Sequence, residues 1–380
     1  MAPESLQSLD AILNTSLTLL AQLQTALTKI HATPNQPSSN TPTLTKEGQP
    51  IDAIALARDS ASLIRAHTTK LSLLVVNEPF SAKAVVGIVR DLVGGPVPGL
   101  ASALEECTPD RYTSVFRKEL AWCCRTVFIE LSGLLSKVPR DGKALSGSKE
   151  GFGPDRKGSI AFTGVLWAAC DEVTKLANLG IGGFLKIKVE EWRDTLQDVM
   201  EELKEWGDEE AEDEEEGDEE DEVDQLAEGL QNAHLSAQDM VDDMMDSASA
   251  IPKADPDKIR PRLETSLKRL RLVTILYNAI VKRRIKKLPQ LPPPATADED
   301  AQNVTKRLDE AAAVLRVLPD RCGDLACAFY ELEPDEIDSI MDQCFLDAFA
   351  VSELLGRSWD GGKDEFTEWT DKFQEEMKGR

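Results

Sequence analysis

Between residues 208 and 224, fourteen of seventeen side chains are Asp or Glu and none is basic; only Ala211, Gly217 and Val223 interrupt them. A block of like charge repels itself and has no apolar face to bury, so it reads as a solvated, disordered connector and not as part of a core. It supplies more than half of the chain's formal net charge of −25. The 380 residues are long for one core, and cutting them at this run leaves two pieces of ordinary domain size. The expected organisation is an N-terminal helical bundle over 1–206, an acidic linker over 207–224 and a C-terminal helical bundle over 225–380.

The class expected for both bundles is all-α. Aromatic residues are 5% of the chain, and alternating apolar and polar runs bounded by turns are scarce, whereas helical spacing recurs. Leu6, Leu13, Leu20 and Leu27 stand seven apart, with Leu9, Leu23 and Ile30 three residues after three of them. That seam suits either an antiparallel bundle helix or a zipper dimer. The dense flanking charge pairs that fix a zipper partner are missing, so the bundle is preferred and a monomer expected. A proline-rich loop over 33–50 leads to a second helix expected to open at Pro50, with Ile51, Ile54, Ala57, Ala61, Ile64, Leu71 and Leu74 on one face. A third carries Val85, Ile88, Val89 and Leu92 and meets a Gly-Pro break at 94–99. A fourth carries Tyr112, Val115, Phe116, Leu120, Cys123, Val127 and Leu131. The run 139–158 reads as a loop. Gly180, Gly182 and Gly183 read as a turn between two helices, and a further helix is expected over 223–249.

Apolar stretches such as 73–76 fall far short of the roughly 18 residues that cross a bilayer, so no membrane span is expected. The first residues lack the basic start and apolar run of a secretory signal, which predicts an intracellular protein. Seven cysteines, scattered along helical stretches, fit small hydrophobes in a reducing compartment. A strongly acidic surface repels phosphate, so direct nucleic-acid binding is not expected and basic partners are favoured.

The chemistry of an enzyme is missing. His31, His67 and His234 lie far apart, and neither Cys123 with Cys124 nor Cys322 with Cys327 has zinc-knuckle spacing, so no metal or other cofactor is expected. Gly153 and Gly158 have phosphate-loop spacing, but Ser159 stands where the lysine belongs. No nucleophile motif of the Gly-x-Ser-x-Gly kind occurs, and most carboxylates sit in the solvated run. No catalytic residue is assigned.

Beyond the acidic run the charge reverses. Residues 258–288 hold eleven Lys or Arg against the single Glu264, on a helix with Leu263, Leu267, Leu270, Val273, Tyr277 and Ile280 along one face. Candidate partner-binding residues are Leu263, Leu267 and Leu270 with Lys282, Arg283, Arg284, Lys286 and Lys287, and the last five also have the composition of a nuclear-import patch. The acidic run either shields this helix as a switch or is solvated independently of it. Prolines at 289 and 292–294 form a stiff connector to a helix over 298–317; Pro319 and Pro334 start two more, and Trp359, Phe366, Trp369 and Phe373 mark a last amphipathic one over 364–378.

Residues His67-Thr68-Thr69-Lys70-Leu71-Ser72-Leu73, the helix opening Thr163-Gly164-Val165-Leu166-Trp167-Ala168-Ala169-Cys170-Asp171, and an acidic interruption before a basic helix together resemble the cyclin-D-interacting protein family, as a fungal-like or otherwise divergent member. The resemblance implies an all-helical fold of two bundles in the style of vinculin and α-catenin and no enzymatic activity. It also implies binding to D-type cyclins and helix-loop-helix factors, in cytoplasm and nucleus, to restrain the cell cycle and transcription. Two other classes stay open: an acidic chaperone for histones or other basic proteins, acting through 208–224, and a cytoskeletal adaptor.

Overall fold

Helix boundaries follow caps and prolines that the sequence supplies. In the computed structural model, which describes residues 3–36, 50–144, 159–208, 251–293 and 299–378, every extended element is helical. Helix α1 (Pro3–Ala32) is followed by α2 (Ala53–Val76), which opens where the Asp52 carboxylate accepts the N–H groups of Ile54 and Ala55 at 2.9 and 3.2 Å. Ser81 caps α3 (Ala82–Gly94), and Pro96 occupies the first turn of α4 (Pro96–Glu106), where its missing N–H costs nothing. The one-turn α5 (Pro109–Tyr112) leads into α6 (Ser114–Ser136). Helix α7 (Ser159–Asp208) is long and kinked; α8 (Ile259–Arg283), α9 (Glu299–Tyr330), α10 (Pro334–Gly356) and α11 (Glu365–Lys378) complete the order.

These helices form two compact units, the first from 1–187 with 285–312 and the second from 188–284 with 313–380. Their boundaries fall inside α7, between Ile187 and Lys188, after α8, between Arg284 and Ile285, and inside α9, between Ala312 and Ala313. Most of the acidic run and the helix expected over 223–249 lie outside the described residues, as do 37–49 of the first loop, 145–158 of the second and 294–298 of the proline connector.

In the first unit α1 packs on α6 and α3, and α2 on α4 and α3. Leu9, Leu13, Leu20 and Leu27 are buried, so the seven-residue seam is spent inside the chain, as a bundle helix spends it. The stretch Ala82–Glu106 is apolar and long enough to cross a membrane by composition. Here it is broken at Gly95, and Val85, Val89, Leu92, Val97, Leu100 and Leu104 are buried in the bundle.

A stretch from late in the sequence completes this unit. Thr305 on α9 donates to the Asp110 carbonyl at 2.8 Å, and the Asp309 carboxylate accepts the N–H groups of Ser114 at 2.6 and 2.9 Å and of Val115 at 3.2 Å. Asp309 therefore satisfies the start of α6 alongside Thr113, whose Oγ1 accepts from the Phe116 N–H. Thr113 is buried at φ 69°, ψ 147°, a conformation that β-branched residues avoid, and these contacts hold it there. Burial pushes the Asp309 carboxyl up, against the two amide bonds that favour its charge.

The second unit packs α8 against α10 and α11, and α10 against α11. Trp206 near the end of α7 meets Phe329 and Tyr330 of α9 at 6.2 and 5.3 Å between ring centroids. Phe366, Phe373 and Met377 are buried, and Trp369 stacks between the two phenylalanines at 5.4 and 5.1 Å, so the last helix docks through its aromatic side.

Candidate interaction surfaces

Two arginines of the basic helix α8, Arg262 and Arg269, pair with acids of its own unit. Arg262 grips Asp338 in a fork, with Nε at 3.1 and 3.0 Å and Nη2 at 3.0 Å from the carboxylate oxygens; one helical turn along α10, Asp342 takes Arg269 at 2.9 Å. The Arg269 guanidinium also covers the Phe345 ring at 5.0 Å. Arg284 is 1% exposed. It donates to the carbonyls of Leu355 at 2.6 Å and Gly356 at 2.9 Å, binds Asp364 through two bonds of 2.6 and 3.0 Å, and lies 4.3 Å from the Phe366 ring centroid. Asp364 in turn accepts the N–H groups of Phe366 and Thr367, capping α11. The hydrogen bonds from Arg284 hold its carboxyl well below the usual carboxylate range.

The eight residues singled out on and beyond this helix are therefore not one open surface. Leu263 and Leu270 are core side chains, Leu267 is half-buried, and Arg284 is a buried clamp. Arg283 is half-buried and donates to the Glu365 carbonyl at 3.3 Å. Lys282 stays exposed in the second unit, and Lys286 and Lys287 in the first. Within 281–287, Val281, Arg284 and Ile285 are buried. Charge count along a sequence does not show which cations already have partners.

The two short stretches behind the family resemblance do meet. Thr163 donates to Ser72 at 3.0 Å across the α2–α7 seam, and Arg65, one turn before Thr69, pairs with Asp171 at 3.1 Å while lying 5.4 Å from the Trp167 ring centroid. Both ionic partners are about half exposed, so their attraction contributes at most about 1 kcal/mol. The seam is held by Ile64, Thr68, Leu71, Leu166 and Cys170, all buried.

The surface feature that periodicity passed over lies on the opposite side of the α6 stripe. Trp122 is 51% exposed and Ile129, two turns on, 37%. The His31 ring, at the end of α1, stands 5.8 Å from the Trp122 indole, and the Arg125 guanidinium 6.0 Å. Arg125 is itself fixed by donating to Thr28 at 3.0 Å. The signal was available: an apolar pair at i, i+7 off the buried face of an otherwise amphipathic helix.

Thiol chemistry is muted in the first unit. Burial pushes both Cys107 and Cys170 up to about 12 and Cys124 well above its ordinary value, so these three stay protonated near neutrality and pack as apolar groups. Among the described residues no group of three His, Cys, Asp or Glu side chains is placed to hold a metal ion.

Residues 57–209 match the family model described as Grap2 and cyclin-D-interacting, N-terminal. This region is similar to that family's N-terminal part. It contains both resemblance stretches, the α2–α7 seam they build, and the exposed Trp122 and Ile129. A protein of Schizosaccharomyces pombe described as uncharacterized is 26% identical over 156 residues, which is 40% of this chain and 44% of that protein. The chain thus spans less than half the length of that relative. No solved structure matches the chain significantly.

Proposed function

We propose that this chain is a non-catalytic regulator that binds cyclin-type or helix-loop-helix proteins and thereby restrains the cell cycle and transcription, working in cytoplasm and nucleus. The observation that carries the reading is the match of residues 57–209 to the Grap2 and cyclin-D-interacting N-terminal region. Its physical support is the way side chains are spent: apolar residues go into helix-to-helix contacts, Arg262 and Arg269 of α8 into internal ion pairs, and the exposed apolar side chains of the matched region are left for a partner. Trp122 is the strongest of these as an anchor, because a half-exposed indole offers large contact area at little entropic cost.

Acidic chaperoning is the competing reading, and it rests on the charge of 208–224. Removing residues 209–224 separates the two. Under the proposal, the shortened chain binds a purified D-type cyclin or helix-loop-helix protein as the full chain does. Loss of that binding, together with histone binding by the full chain alone, favours the chaperone.

A further inference from the structure

Helix α6 carries a second seam on the side away from its buried stripe. Val115, Trp122 and Ile129 stand seven residues apart; Val115 is half-buried, and the other two are exposed. That spacing keeps one side of a helix in register with a facing helix over about four turns, roughly 21 Å. The far end is bounded at Gly133, where an added Cβ would meet the Phe162 ring of α7 at 3.4 Å. The two edges of the seam carry opposite charge. Lys118 and Arg125, themselves seven apart, lie on the edge toward α1, where Arg125 donates to Thr28 at 3.0 Å. Glu119 and Glu130, three turns apart on one face, lie on the edge toward Gly133. All four are half-buried. Among the described residues none of them joins an ion pair, whereas Arg65 and Arg140 of the same unit pair with Asp171 and Asp10.

Resting on the partner-binding reading above, we propose that this seam is the docking site for one amphipathic helix of the bound protein. That helix has large apolar side chains at seven-residue spacing, acids along the edge that meets Lys118 and Arg125, and bases along the edge that meets Glu119 and Glu130. The apolar ridge supplies affinity, because the partner's side chains close over Trp122 and Ile129 and remove both from water. The charged edges supply selection. An edge of the wrong sign leaves like charges side by side along the contact, and an uncharged helix forgoes the attraction. A purely anionic partner, such as a phosphate backbone, fits less well, because Glu119 and Glu130 line the ridge as Lys118 and Arg125 do.

The probes are two synthetic amphipathic helices with leucines at seven-residue spacing, one with glutamate on one edge and lysine on the other, the second with glutamine on both. Each is titrated with the full-length chain and followed by fluorescence anisotropy. The expected result is saturable binding of the charged helix, about tenfold tighter than the glutamine helix at low salt, with the gap closing at roughly 1 M salt. Ile129→Asp, in a chain that melts as wild type does, weakens both helices about tenfold or more; Lys118→Glu weakens only the charged one. Absence of saturable binding, equal affinity for the two helices at low salt, or binding indifferent to Ile129→Asp overturns the proposal. So does a full-length chain that is a dimer in light scattering and a monomer with Ile129→Asp, since a second copy then covers the seam. The same variants measured against a purified D-type cyclin separate this inference from the reading beneath it. Cyclin binding unmoved by Ile129→Asp and Lys118→Glu sinks the seam and leaves the reading; charge-selective binding of the helices, with no cyclin or helix-loop-helix protein bound, sinks the reading and leaves the seam.

Discussion

Arg284 shows how one side chain can be removed from a surface inventory by its partners. A buried guanidinium is tolerable only because carbonyls, a carboxylate and an aromatic face replace its water. Asp364→Ala leaves that cation uncompensated, and an unfolding free energy lower by about 3 kcal/mol in denaturant titration is expected. The acid dependence has a definite sign. Asp364 is depressed in the folded chain, so its contribution is complete above its unfolded pKa of about 3.9 and is lost as pH falls below that toward the folded value. The acid limb of stability should be shallower in Asp364→Ala than in wild type; equal limbs refute the assignment. Asp309 is the counterpart in the first unit. Asp309→Ala takes an acceptor from two amides at the start of α6, and a loss of about 1–2 kcal/mol is expected. A melting temperature within error of wild type would show that α6 needs no such cap.

At the level of elements, α9 and α7 carry the informative departures from expectation. Periodicity and Pro319 suggest two helices, yet α9 runs from Glu299 to Tyr330 with Pro319 inside it. A proline cannot donate to the carbonyl four residues back, here Leu315. Tyr277 donates to that carbonyl at 2.6 Å from the facing helix, so the orphan acceptor is satisfied from outside and the helix continues. Tyr277→Phe removes this one bond; a destabilisation of about 1–3 kcal/mol by chemical denaturation supports the account, and a neutral change does not. In α7 the run Gly180-Ile181-Gly182-Gly183 was expected to be a turn, but only Gly180 leaves helical geometry, at φ 62° and ψ −177°. An added Cβ there meets nothing within 4 Å, so Gly180→Ala should cost about 1–3 kcal/mol through backbone strain alone. The helices themselves, the α1 seam and the docking aromatics of α11 were legible because apolar spacing and caps are local. The acceptor for Tyr277, the Asp309 cap and the α8–α10 ion pairs were not, because each joins residues tens to nearly two hundred positions apart.

Across the molecule, composition settled the fold class, and a long acidic run suggested two parts. In the structure, 285–312 join the first unit through Thr305, Asp309 and the buried Val304 and Leu308, contacts no local signal in the sequence announces. The candidate site was legible in part: the two resemblance stretches fall in the matched region and meet, whereas within the basic patch Arg284 is a buried clamp and Lys282, Lys286 and Lys287 stay exposed. Trp122 was legible as one of an apolar pair off the buried face of α6, but its half-exposed setting beside His31 and Arg125 depends on α1 and was not. The most direct test of the account is the affinity of the full chain for a purified D-type cyclin, measured by biolayer interferometry beside Trp122→Ala. Saturable binding, weakened about tenfold or more by Trp122→Ala with the melting temperature unchanged, is the predicted result. No saturable binding, or binding indifferent to Trp122 and abolished by removing residues 209–224, contradicts it.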